Sequence, residues 1–151
     1  MTSFVRVLQD IGLMLARIAT GTILMLHGWR RWQDGIPHQV TVLNGHGVPY
    51  PEIFGWGTVI FELLGGALLV FGLATPVIGL VLLVQQVMLM VYSTWRHGFY
   101  LTGGGYEYNL ALASLGTLFM VLGSGRAGVD SLFRRSEHDP ERRVIRDADP
   151  A

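Results

Sequence analysis

The chain has 151 residues, half of them apolar, with a mean hydropathy of +0.41 and a formal net charge of zero. Charged residues make up 15%, against roughly 25% in soluble proteins, which indicates a membrane protein. Zero net charge without a basic helical stripe argues against a nucleic-acid partner, and the absence of Cys excludes disulfides, thiol redox chemistry and thiolate metal sites.

Residues 1–10 are mixed, with Arg6 and Asp10. A first membrane span is expected over about 11–29, interrupted by Arg17. No small-x-small cleavage site follows it, so it reads as a retained helix and not as a signal peptide. Arg17, Gly21, Leu24 and Gly28 follow helical spacing along one face. HGWRRW (27–32) closes the span: Trp29 and Trp32 suit the water–lipid interface, and Arg30 and Arg31 can reach headgroups. Residues 33–54 hold Gly, Pro, His38, His46 and Glu52 and read as a loop, with room for a short helix or hairpin whose position the residues do not mark.

The second span, 55–73, is the most telling stretch. It is apolar or small except at Thr58 and Glu62, and at about 1.5 Å per residue it reaches roughly the thickness of a bilayer core. An ionised carboxylate at that depth costs roughly 2.5 kcal/mol or more. Glu62 should therefore face the bundle interior, be protonated, or have a cationic partner. Gly65 and Gly66 share its face, the pattern of a helix packed closely on its neighbours. ATP (74–76) stops this helix, and a third span follows over 77–92 with Gln85 and Gln86 in its middle. Residues 93–105 form an aromatic and glycine-rich loop whose TGGG is a turn, since no GK[ST] follows. The fourth span, 106–122, opens YEYN and places Glu107 and Asn109 just inside its boundary. The domain runs over residues 1–133, and the charged stretch 134–151 is expected to be a disordered tail.

The expected fold class is all-α: an integral membrane four-helix bundle. Seven Arg flank the termini (6, 126, 134, 135, 142, 143, 146) and three lie on the other side (30, 31, 96), so both termini are expected in the cytoplasm.

Helices in lipid satisfy their polar groups among themselves. The intramembrane set is Arg17, Glu62, Gln85, Gln86, Glu107 and Asn109. Arg17 and Glu62 are the deep opposite charges and are expected to pair. Such a pair can serve helix register alone. Alternatively, Arg17, Glu62, Gln85 and Glu107 line an outward pocket. With walls of Trp, Tyr, Phe and Met, that pocket would suit a quinone, menaquinone or ubiquinone, or another flat amphipathic ligand; its carboxylate could exchange protons with a quinol. His27, His46, His97 and Glu107 are scattered without HxxH or HExxH spacing, so no metal site is expected, nor haem. No nucleophile has a base within readable range, and any catalytic residue stays unassigned.

Arg17 with GTILMLHG, the Glu62 helix ending FGLATP, GGGYEYNLAL and a final GSGRAGVDSL resemble the DoxX family of small bacterial membrane proteins over roughly residues 11–133. The resemblance implies a four-span bundle in the plasma membrane. It also implies membrane redox work, since the family takes its name from a subunit of a thiosulfate:quinone oxidoreductase. The family's recurring polar positions fall on Arg17, His27, Glu62, Glu107 and Asp130, although here Asp130 precedes Ser131 instead of following it. The candidate ligand pocket is thus Arg17, His27, Glu62, Gln85, Glu107 and Asn109. Three functions remain open: a quinone-linked or redox-stress-associated membrane subunit of an oxidoreductase system, enzymatic only within its complex; a non-catalytic scaffold recruiting partner proteins; and a small transporter or lipid-handling protein. Membrane lipid and partner proteins of a complex are the expected contacts, and small-residue helix faces permit a homo-oligomer.

Overall fold

The computed structural model describes residues 2–125 and residue 128. Among these residues the chain is helical, without strands. Helix α1 spans Thr2–Asp34, α2 spans Ile36–Gly45, α3 runs over Pro51–Phe71 and α4 over Thr75–His97, and α5 spans Glu107–Leu122. Phe4–Asp34 of α1, together with α3 and α4, are long and apolar enough to cross a membrane. Helix α5 is apolar but shorter, 16 residues or about 24 Å.

The helix ends follow local chemistry. Helix α1 has 33 residues and extends past both expected ends, because nothing from Thr2 onward breaks it until Gly35 at φ 90°. Helix α3 opens with Pro51 in its first turn after Tyr50 in the left-handed region, and closes on Gly72 at φ 71°. There the Leu73 N–H donates to Leu68 O (2.9 Å) and the Gly72 N–H to Leu69 O (3.1 Å). This paired closure satisfies carbonyls the helix end would otherwise orphan. Both long inner helices contain a π turn: Phe61–Gly65 in α3 and Met90–Thr94 in α4.

Helix α2 occupies ten residues of the expected loop over 33–54, the short helix that the sequence allowed but did not place. Pro37, in the first turn after Gly35, is a helix-start signal. Val40, Thr41 and Val42 are poor helix formers, and they masked that signal. Gln39 and Leu43, four residues apart, bury one face, so tertiary packing holds the segment helical against its propensity.

The helices pair closely at glycines. A Cβ on Gly21 of α1 would stand 2.5 Å from Gly66 O of α3, and one on Gly66 would stand 2.7 Å from Gly21 O. The α4–α5 crossing repeats this at Gly79, where a Cβ would meet Met120 N at 2.5 Å and Gly116 O at 2.7 Å. Backbones this close gain van der Waals contact that lipid cannot supply, the usual driving force between helices in a bilayer. The core between the two pairs is Leu24, Leu69, Ile78, Leu82 and Phe119. At the end carrying α2 and residues 98–106, here the loop side, Trp32 of α1 meets Trp56 of α3 edge-on, with centroids 6.3 Å apart.

Candidate functional site: a buried carboxylate beside an internal cavity

Glu62 lies in the α3 π turn and is 2% exposed. Gly28 of α1 faces it; a Cβ there would stand 2.8 Å from Glu62 Cβ. That missing side chain lets α1 approach and brings Arg31, one turn further on, to the carboxylate. Arg31 Nε stands 3.1 Å from Glu62 Oε2. On the other side, Gln85 Nε2 donates to Glu62 Oε1 at 3.1 Å. The Arg31 contact is a charge pair without hydrogen-bond alignment, and Oε2 makes no hydrogen bond among the described residues. Glu62 is thus neutralised while one oxygen can still accept a hydrogen bond.

Beside this group lies a cavity of about 260 Å³ between α1, α4, α5 and the loop before α5. Its polar lining is His27, Arg31, Glu62, Gln86, Ser93, Thr94, Tyr108 and Asn109; Leu24, Leu89, Leu101 and Leu112 supply apolar wall. One wall is held rigid by a side-chain relay. Thr94 Oγ1 donates to Asn109 Oδ1 (3.3 Å), and Asn109 Nδ2 donates to Gln86 Oε1 (2.8 Å). Across it, His27 Nε2 and the Tyr108 hydroxyl lie 3.2 Å apart, with ring centroids at 5.7 Å, joining α1 to α5. The volume falls just under the roughly 300–1,000 Å³ usual for small-molecule sites. It suits a single ring and not an extended ligand.

A second cavity, of about 280 Å³, lies under α2 and shares Arg31, Leu89 and Ser93 with the first. His46 sits on its wall, its Nδ1 2.8 Å from Val42 O and its Nε2 3.4 Å from Ser93 Oγ. Because a carbonyl only accepts, the proton lies on Nδ1 and Nε2 faces the serine.

Of the residues expected in the pocket, His27, Glu62 and Asn109 come together around the first cavity. Gln85 touches Glu62 but lines a different groove. The expected Arg17–Glu62 pair is corrected. Arg17 is buried beside Gly72 and Gly128, at the terminal end of α3, eleven residues or about 16 Å along α1 from the Gly28 that faces Glu62. Depth in the sequence suggested the pair, but the antiparallel register of α1 on α3 sets Arg31 against Glu62 instead. Glu107 is also corrected: it is exposed, and its Oε2 accepts the Leu101 N–H at 3.1 Å, so it ties the loop before α5 and does not line the cavity. Asp130 and the 134–151 tail lie outside the described residues. Among the described residues no three His, Asp or Glu gather as a metal site.

Arg31, Gln86 and Tyr108 are site residues that the pocket expectation left out. Arg31 was legible: 17, 21, 24, 28 and 31 continue one helical face. The flanking Trp residues disguised it as a headgroup anchor. Tyr108 sits between Glu107 and Asn109, and helix phase alone does not say which of three adjacent polar residues turns inward.

Fold and site together define a small helical membrane protein built around an internal, counter-charged carboxylate. The sequence matches the DoxX family over residues 12–95, and the chain belongs to that family. It is similar to a Bacillus subtilis (strain 168) protein named "Putative oxidoreductase CatD", with 27% identity over 106 residues, covering 70% of this chain and 76% of the relative. No solved structure matches.

Proposed function

We propose that the cavity beside Glu62 takes the headgroup of a membrane quinone or quinol, and that the protein is a multi-pass plasma-membrane subunit of an oxidoreductase system. Glu62 carries this reading: a buried carboxylate with a cation and an amide on it, one oxygen without a hydrogen bond, beside a ring-sized cavity. Apolar walls with a few convergent polar groups are the usual make-up of such sites, and the family membership and the name of the Bacillus relative agree with redox work. A bound quinone supplies two-electron, two-proton chemistry. His27 and Tyr108 provide hydrogen-bonding groups on one wall and Glu62 a proton-accepting group on another. Arg31 offsets the carboxylate's charge, and the Thr94–Asn109–Gln86 relay keeps the wall from collapsing. With no cysteine in the chain, a partner protein supplies the redox centre that takes or gives the electrons.

The test is organic extraction of detergent-purified protein followed by mass spectrometry, with wild type and Glu62→Gln in parallel. A stoichiometric quinone in wild type, lost in the variant, is expected. Quinone-free protein that brings down the same partner polypeptides in both forms would replace this reading with that of a scaffold.

A further inference from the structure

A separate groove runs between α3 and α4 and shares no lining residue with the Glu62 cavity. Its volume is about 280 Å³, and Phe54, Gly57, Phe61, Val84 and Met88 form much of its wall. Neighbouring Ile60, Val81 and Val84 are exposed apolar residues on the two spans, so the groove faces the bilayer and molecules dissolved in lipid are what reach it. Two observations distinguish it from an ordinary lipid-facing crevice. Gly57 leaves it open, since a Cβ there meets nothing within 4 Å. Gln85, which lines it, is 8% exposed, and its Oε1 is buried without a hydrogen-bond partner among the described residues. Gln85 Nε2 is engaged in donating to Glu62 Oε1, and the amide's Oε1 is left over. A buried carbonyl without a donor is costly, and in hydrocarbon no water relieves it.

We propose that this groove binds the apolar body of a membrane-dissolved molecule whose hydroxyl group donates to Gln85 Oε1. The required chemistry is one O–H donor on a long or ring-bearing hydrocarbon, which a quinol or a glycerolipid with a free hydroxyl both offer. The site is distinct from the Glu62 cavity and does not rest on its occupant. The two are nonetheless joined through one amide: a donor on Oε1 polarises the Nε2–H that holds Glu62.

The test uses the full chain in nanodiscs and a hexadecanol bearing a mid-chain diazirine, with the corresponding methyl ether as the probe that cannot donate. Photolabelled positions are mapped by peptide mass spectrometry. The alcohol is expected to label residues 53–61 and 81–88 roughly tenfold more than the ether, the value of one buried hydrogen bond. Gly57→Leu, whose Cβ meets nothing within 4 Å and whose branched end projects into the groove's space, should abolish labelling. Gly12→Leu, where a Cβ likewise meets nothing within 4 Å, should leave it unchanged. Equal labelling by alcohol and ether in wild type overturns the proposal even if Gly57→Leu does not fold. Competition with decylubiquinol and with dioctanoylglycerol identifies the source: displacement by either supports the site, and displacement by neither overturns it. A fall in extracted quinone in Tyr108→Phe, whose side chain lines the first cavity and not this groove, with labelling intact separates the two sites.

Discussion

Replacing Arg31 by Met removes the cation 3.1 Å from Glu62 Oε2 while keeping an apolar stem of similar length. At an effective dielectric of about 20, two unit charges at that separation attract by on the order of 5 kcal/mol. The Arg31 side chain is 24% exposed and that of Glu62 3%, so solvent screens part of this, and the loss should fall near 3 kcal/mol, the low end for breaking a buried pair. For a chain of this size that is a fall in Tm of roughly 6–12 °C, measurable by intrinsic Trp fluorescence in detergent. Arg31→Met combined with Glu62→Gln should recover most of the loss, because no uncompensated charge remains. Their coupling should exceed about 1.5 kcal/mol, whereas Arg17→Met and Glu62→Gln should be additive within about 0.5 kcal/mol. Coupling of Glu62 to Arg17 larger than to Arg31 would refute the register on which the site is built.

Further outcomes follow from the same geometry. Gly21→Val drives a side chain into the Gly66 backbone and should cost about 3 kcal/mol or prevent folding, while Gly12→Val should leave the melting curve unchanged. Ala74 sits at φ 50°, where a Cβ costs about 1–2 kcal/mol; glycine gives back about 0.4–1 kcal/mol through the unfolded chain, so Ala74→Gly should raise Tm by one or two degrees, on the order of the remaining 0.5 kcal/mol. Glu107→Gln should speed amide exchange at Leu101 and leave ligand binding in the cavity within about twofold, since only the loop bond is touched. Because the chain has no native Cys, a single cysteine at His38 should react with an impermeant maleimide in intact cells and one at Ala74 only after permeabilisation; the reverse pattern would invert the expected orientation.

Composition and periodicity alone determined that this is a helical membrane protein, where its apolar helices lie, and that Glu62 must be answered by another group. Those conclusions are local: hydrophobic run length against bilayer thickness, and the cost of a carboxylate in hydrocarbon, depend on neighbours in sequence. The resemblance of GTILMLHG and FGLATP to DoxX proteins was likewise legible from residues alone. Which group answers Glu62 was not. Arg17 and Arg31 share a face of α1, and the choice between them depends on how far α1 slides along α3. The Gly21–Gly66 and Gly28–Glu62 contacts fix that slide, and they join residues more than thirty positions apart. Glu107 turned to the loop and Tyr108 to the cavity for the same kind of reason: adjacent residues on a helix differ by about 100° in direction, and packing of α5 on α4 chooses among them. The helix over Ile36–Gly45 and the unpartnered oxygen of Gln85 exist only because distant surfaces bury them. Local chemistry sets what each segment can be, and the packed interface sets which of its polar atoms is left to meet a ligand.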